Sequence, residues 1–161
     1  VWSEQTAWAA IGLLAGIDVR WLGASQASRL RRQVSSMDAT ELTSRVRNRS
    51  VIHRFDGHRP VFERVGNELV RGSAVIGDLS VDRGVDGYLD EDRLPELIDR
   101  FYLRAASDGA ITLRCTSHLV KAQEIAAIDA DLLSAVNLAT SADAREREAA
   151  LAVIINRIAA I

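Results

Sequence analysis

Residues 85–101, VDGYLDEDRLPELIDRF, set a short strand directly ahead of a capped helix. In VDGYL, Val85 and Leu89 flank Tyr88 in an apolar run of strand length. Asp90 or Asp92 is then placed to cap a helix over residues 92–101. Pro95 falls in the first turn, where a missing backbone N–H costs nothing. Upstream, SVIHRF (50–55) reads as another short strand. Pro60 opens a brief helix, PVFERVGN, and ELVRG returns to extended chain. Downstream, FYLRA and AITLRCT flank Ser107-Asp108-Gly109, a turn signal that predicts a hairpin.

Outside this central region the period is helical. A helix over 3–15 ends near Gly16, and a second stretch over 18–36 repeats Ala27, Leu30, Val34 and Met37 at spacings of three and four. Asp38 with Glu41 forms a capping box for a third helix, whose apolar stripe is Leu42 and Val46. Arg45 and Arg49, four apart, are expected on its exposed face. The last forty residues predict two helices, about 119–138 and 143–161, the latter capped by Asp143 with Glu146. The expected fold is therefore α+β. A helical, basic N-terminal region (1–49) precedes a small mixed sheet covered by C-terminal helices (50–161), the two forming one compact unit.

At 161 residues, 48% hydrophobic and 26% charged, the chain is long and apolar enough to bury a core, which excludes wholesale disorder. Its one cysteine, Cys115, excludes an intrachain disulfide and fits a reducing, cytoplasmic setting. Cys115 lies in the alternating run AITLRCT and reads as a core or edge residue rather than a nucleophile. The N-terminal run VWSEQTAWAAIGLLAGIDVRW lacks a basic n-region, and its apolar part spans only about ten residues, too short for a bilayer. AALAVIINRIAAI is interrupted by Asn156 and Arg157 and reads as a buried helix, so no membrane partner is expected.

Charge is distributed unevenly. Residues 29–71 carry ten arginines and no lysine against five carboxylates, while residues 72–161 sum to −6. A concentrated positive field attracts polyanions whatever the net charge, and an arginine fork binds phosphate bidentately or reads a guanine edge. Arg29, Arg31, Arg32, Arg45, Arg47 and Arg49, with Arg54 and Arg59 beyond, are the candidate contacts to double-stranded DNA. The segment from Ser25 to Val34 would act as a recognition helix, with Gly16 supplying the turn before it. The alternative is a docking face for an acidic protein.

Other constellations carry less chemistry. His53, Arg54, His58 and Arg59 cluster at a strand-to-helix junction without a third metal ligand, and His118 lies in no motif. Gly72-Ser73 with Asp86 in the next strand is faintly like a nucleotidyltransferase, which holds magnesium on carboxylates at alternate strand positions. The alternate position here is Tyr88, and Asp78, Asp82, Asp90 and Asp92 fall in loops or at a helix start. The expectation is a degenerate core without catalysis. No nucleophile motif, glycine-rich phosphate loop or CxxC pair occurs, so no enzyme activity and no cofactor is expected.

The elements RWL…RLRRQV, ELTSRVRNRSVIHRFDGHRPVFERV, LVRGSAVIGD, VDGYLDEDRLPELIDRFYL, TLR and AIDADLLSAVNLATSADAREREAALAVI occur in an order that resembles a known family. That family comprises actinobacterial-type antitoxin and transcriptional-regulator proteins related to the AbiEi antitoxins, and the likeness spans roughly residues 20–155. It implies a non-enzymatic DNA-binding regulator that represses its own operon and counteracts a toxin encoded nearby. The arginines of RLRRQV and RVRNR would be the DNA contacts. The chain departs from that pattern in lacking a clear winged-helix unit before the basic segment. A homodimer through the C-terminal helix, ending at Ile158 and Ile161, is the further expectation.

Overall fold

The computed structural model describes residues 2–81 and 84–161. Among them are eight helices, a four-stranded mixed sheet and a two-stranded hairpin, an α+β fold with helices at both ends of the chain. The chain runs α1 (Glu4–Leu14), α2 (Ala24–Ser35), α3 (Ala39–Arg45), β1 (Val51–Asp56), α4 (Phe62–Gly66), β2 (Val75–Ile76) and β3 (Leu79–Ser80). It continues through β4 (Val85–Asp90), α5 (Leu94–Phe101), β5 (Arg104–Ala105), β6 (Ile111–Thr116), α6 (Leu119–Ile128), α7 (Ala130–Leu138) and α8 (Ala144–Ala159).

The strand order is β4-β6-β1-β5, with β4 parallel to β6 and β1 antiparallel to both β6 and β5. In register, Asp86, Thr112 and Arg54 form one row across β4, β6 and β1, and Tyr88, Arg114 and Ile52 form the next. Side chains alternate along a strand, so both rows share one face. The other face carries Val85, Leu89, Ile111, Leu113 and Phe55, which close a core with Val65 of α4 and Leu97 and Phe101 of α5. Behind the polar rows lies a second core, built by α1, α2, α3, α6, α7 and α8 together with Tyr88. Helix α1 is buried at every position from Ala7 to Leu14 and runs through the middle of that core. N-terminal and C-terminal helices thus share one interior.

The local chemistry follows the expected caps. Asp38 accepts from the Glu41 amide, Asp90 from the Asp92 amide, and Asp143 from the amides of Arg145 and Glu146. Four expectations are corrected. Gly23 at φ +109° interrupts the helical stretch 18–36, leaving a 3-10 turn at Arg20–Leu22 before α2. The segment ELVRG makes only a bridge between Val70 and Tyr88, because Gly87 lets it ride close over β4; a Cβ there would meet Leu69 Cβ at 2.7 Å. The strands either side of Ser107-Asp108-Gly109 do not form a hairpin, since β1 inserts between β5 and β6 and the residues before Leu103 close α5. The helix expected over 119–138 breaks at Asp129, whose side chain caps α7 by accepting from the Leu132 amide at 3.2 Å.

Cys115 is buried, and its thiol is pushed up to about 11, first by burial and then by Glu91 and Asp90. Ile158 and Ile161 pack against the chain's own core beside buried Ala150 and Ile154, so the apolar side of α8 is largely used internally. No helix among the described residues is long and apolar enough to cross a membrane.

Candidate functional site

The arginines that looked like one basic surface separate into three settings. Helix α2 buries Ala27, Leu30 and Val34 and leaves Arg29, Arg31 and Arg32 exposed around the remaining arc. Among the described residues no ion pair or hydrogen bond engages these three guanidinium groups, and exposed Arg47 after α3 is equally free. Arg45 is only half-exposed; it donates to Glu41 at 3.1 Å and lies 5.7 Å from the Trp2 ring centroid. Arg54 is exposed on β1, and Arg59 on the turn after it rests 5.5 Å from the Phe62 ring.

Arg49 does not face solvent, which corrects its assignment as a DNA contact. It is 5% exposed. Its Nε donates to the Tyr88 hydroxyl at 2.8 Å, Nη1 to the Val46 carbonyl at 3.1 Å, and Nη2 to the Val136 carbonyl at 3.0 Å and to Asn137 Oδ1 at 3.1 Å. The Tyr88 hydroxyl also donates to Asn137 Oδ1. Trp8 Nε1 donates to the Arg49 carbonyl and to Thr116 Oγ1, and its ring meets Tyr88 edge-on at 5.1 Å. The spacing of four from Arg45 misled because α3 stops at Arg45 and a 3-10 turn over Arg47–Arg49 rotates the side chain inward.

Beside this node an open cleft of about 650 Å³ lies between β4, β6, α7 and the segment after α4. Gly72, Ser73 and Asp86 all line its wall. Gly72 presses on α7, where a Cβ would meet the Ser134 amide at 2.5 Å, so only glycine lets the chain pass. Ser134 Oγ donates to the Ser73 carbonyl, and Ser73 Oγ donates to Asp131.

Asp86 is already engaged. Arg114, with a side chain only 6% exposed, donates to its two carboxylate oxygens at 2.6 and 2.9 Å. Burial opposes the Arg114 charge, but the neighbouring carboxylate outweighs it and raises the guanidinium above its ordinary value. Tyr88 sits in the core, Asp90 caps the turn into α5, and Asp78 and Asp92 are exposed elsewhere; Asp82 lies outside the described residues. Among the described residues no three His, Cys, Asp or Glu side chains converge to hold a metal, His53, His58 and His118 included.

Arg114 and Asn137 were not singled out from the sequence. The available signal was their setting, a charge inside the strand ITLRCT and an amide inside the apolar run LLSAVNLA, where a polar group must find partners once buried. No protein-family model, curated protein or solved structure matches this chain.

Proposed function

We propose that the protein is a non-enzymatic, antitoxin-like DNA-binding regulator that meets the phosphate backbone through α2. The observation that supports this reading is the set of three exposed guanidinium groups, Arg29, Arg31 and Arg32, on a helix whose opposite side is anchored in the core. Unpaired arginines on a held helix lose little freedom on meeting an oxyanion row, and none must first release a carboxylate. Exposed Arg47 adds a fourth contact, whereas Arg45 is tied to Glu41 and contributes less.

Each phosphate neutralised by B-DNA binding contributes about −0.9 to the log–log salt slope, so four contacts give roughly −3 to −4. The test is a gel-shift titration on the DNA upstream of the protein's own coding sequence at two salt concentrations. Arg29→Glu with Arg32→Glu is expected to abolish the shifted band and leave the thermal midpoint within about 2 °C, because exposed charges contribute little to folding. A salt-independent complex, or a double variant that binds like the parent, overturns the assignment to α2.

A further inference from the structure

The cleft beside Asp86 is a separate feature from α2. Among the described residues its carboxylates are occupied. Asp86 accepts twice from Arg114, Glu146 accepts from Ser141 at 2.8 Å, and Asp131, behind the wall, accepts from Ser73. Among the described residues of the wall, Arg71, Asn137 and Thr112 keep donors that no protein acceptor engages.

Asn137 is 8% exposed, and its amide orientation is set by its neighbours. Arg49 can only donate, so the amide oxygen must face Arg49 and the Tyr88 hydroxyl. The NH₂ is thereby turned the other way. Nδ2 donates to nothing, yet no sealed side-chain nitrogen or oxygen among the described residues lacks a partner. Nδ2 therefore opens on the cleft that Asn137 lines.

Arg71 lines the same cleft with no hydrogen bond or ion pair among the described residues, although it is held in place. A Cβ on Gly87 would meet its Cγ at 2.9 Å, and a Cβ on Gly66 its Nη1 at 2.8 Å, so two glycines make the bed for its stem and head. Thr112, in the register row of Asp86, adds an unengaged hydroxyl. A positioned guanidinium, a half-satisfied buried amide and a hydroxyl facing one volume are the complement of an oxyanion.

We infer that this cleft binds a small oxyanion-bearing molecule without a metal ion, Arg71 pairing with its charge and Asn137 Nδ2 and Thr112 donating to its oxygens. The class is a phosphate ester or a carboxylate, which share this recognition chemistry. The inference stands apart from DNA binding by α2 and survives or fails independently of it.

The test is calorimetry of the full chain with inorganic phosphate and, in a parallel arm, acetate, both in the presence of a chelator. The side-chain amide of Asn137 is followed by nuclear magnetic resonance. Saturable binding at millimolar or lower concentration with a shift of that amide is expected. Arg71→Gln should weaken it about tenfold or more, and Thr112→Val less. Arg71 is exposed, so its variant retains the parent melting temperature and the comparison does not depend on refolding. Preference for phosphate over acetate assigns phosphate esters, and the reverse assigns carboxylates. Absence of saturable binding in the parent, equal binding by Arg71→Gln, or loss of binding in the Arg29→Glu, Arg32→Glu variant with Arg71 intact overturns the inference.

Discussion

Replacing Arg49 by methionine removes four hydrogen bonds from the interior while keeping most of the side-chain volume. Hydrogen bonds to a charged group are each worth about 1.5–3 kcal/mol net, but the four do not add, because the variant also escapes the cost of burying the cation. Removing one member of a buried ionic or polar network typically costs about 3–5 kcal/mol. The acceptors left behind here, the Val136 carbonyl and Asn137 Oδ1, are themselves buried. For a chain of this size about 2–4 °C is lost per kcal/mol, so a melting-temperature drop of roughly 6–20 °C is expected. The same replacement at Arg29 should stay within about 0.5 kcal/mol of the parent. Urea denaturation and calorimetry of the two variants measure the difference. Arg49→Met within about 0.5 kcal/mol of the parent would refute the four-acceptor geometry. Loss of DNA binding at unchanged stability would show instead that the side chain reaches outward.

Further outcomes follow from the same geometry. Glu4 accepts from Thr116 Oγ1 at 2.6 Å and from the Ser117 amide at 2.7 Å. Burial alone would raise its pKa, but these bonds, with those from His118 and the Ser117 hydroxyl, hold it below the ordinary value of 4.5. A lowered carboxylate supplies stability that is complete above 4.5 and is lost as pH falls below it. Glu4→Gln should therefore flatten the acid side of a melting-temperature profile, and an unchanged profile would count against this bond set. Gly87→Ala sets a methyl 2.7 Å from Leu69 Cβ and 2.8 Å from the Val70 carbonyl, so a loss of about 1–3 kcal/mol in denaturant titration is expected. Cys115, with its thiol held near 11, should react with a thiol reagent at neutral pH only as fast as the chain unfolds, as the denaturant dependence of labelling would reveal.

What could be read from the sequence was local. The N-cap bonds of Asp38 and Asp143 and the strand VDGYL depend on neighbours a few residues away and form as expected, whereas Asp90 caps the 3-10 turn Glu91–Arg93 ahead of α5 and Glu41 turns to Arg45 instead of back to its cap. Non-local pairing was not readable. The turn Ser107-Asp108-Gly109 carries the composition of a hairpin, yet β1 satisfies both β5 and β6 from 48 to 64 residues upstream, and no local residue announces it. Arg49 illustrates the same limit at the level of a site. Its charge and its spacing from Arg45 spoke for a surface, while three of its four acceptors come from residues 88, 136 and 137.

Charge composition is therefore a poor guide to which arginines meet an external polyanion, and hydrogen-bond accounting is a better one. Arg49 belongs to the same basic stretch as Arg29 and Arg31, but its donors, like those of Arg114 outside that stretch, end on protein oxygens, in part to satisfy groups the fold has already buried. A guanidinium so engaged must abandon those acceptors before it can reach a phosphate, which costs more than one surface contact returns. Among the described residues, Arg29, Arg31, Arg32 and Arg71 have no such acceptors to abandon. The three on α2 stand on a convex helix face, suited to an extended polyanion, whereas Arg71 borders a concavity, suited to a small anion. The two sites should consequently differ in salt response. Binding at α2 should weaken steeply with added salt through counterion release, and binding at Arg71 should weaken no more than one charge pair requires.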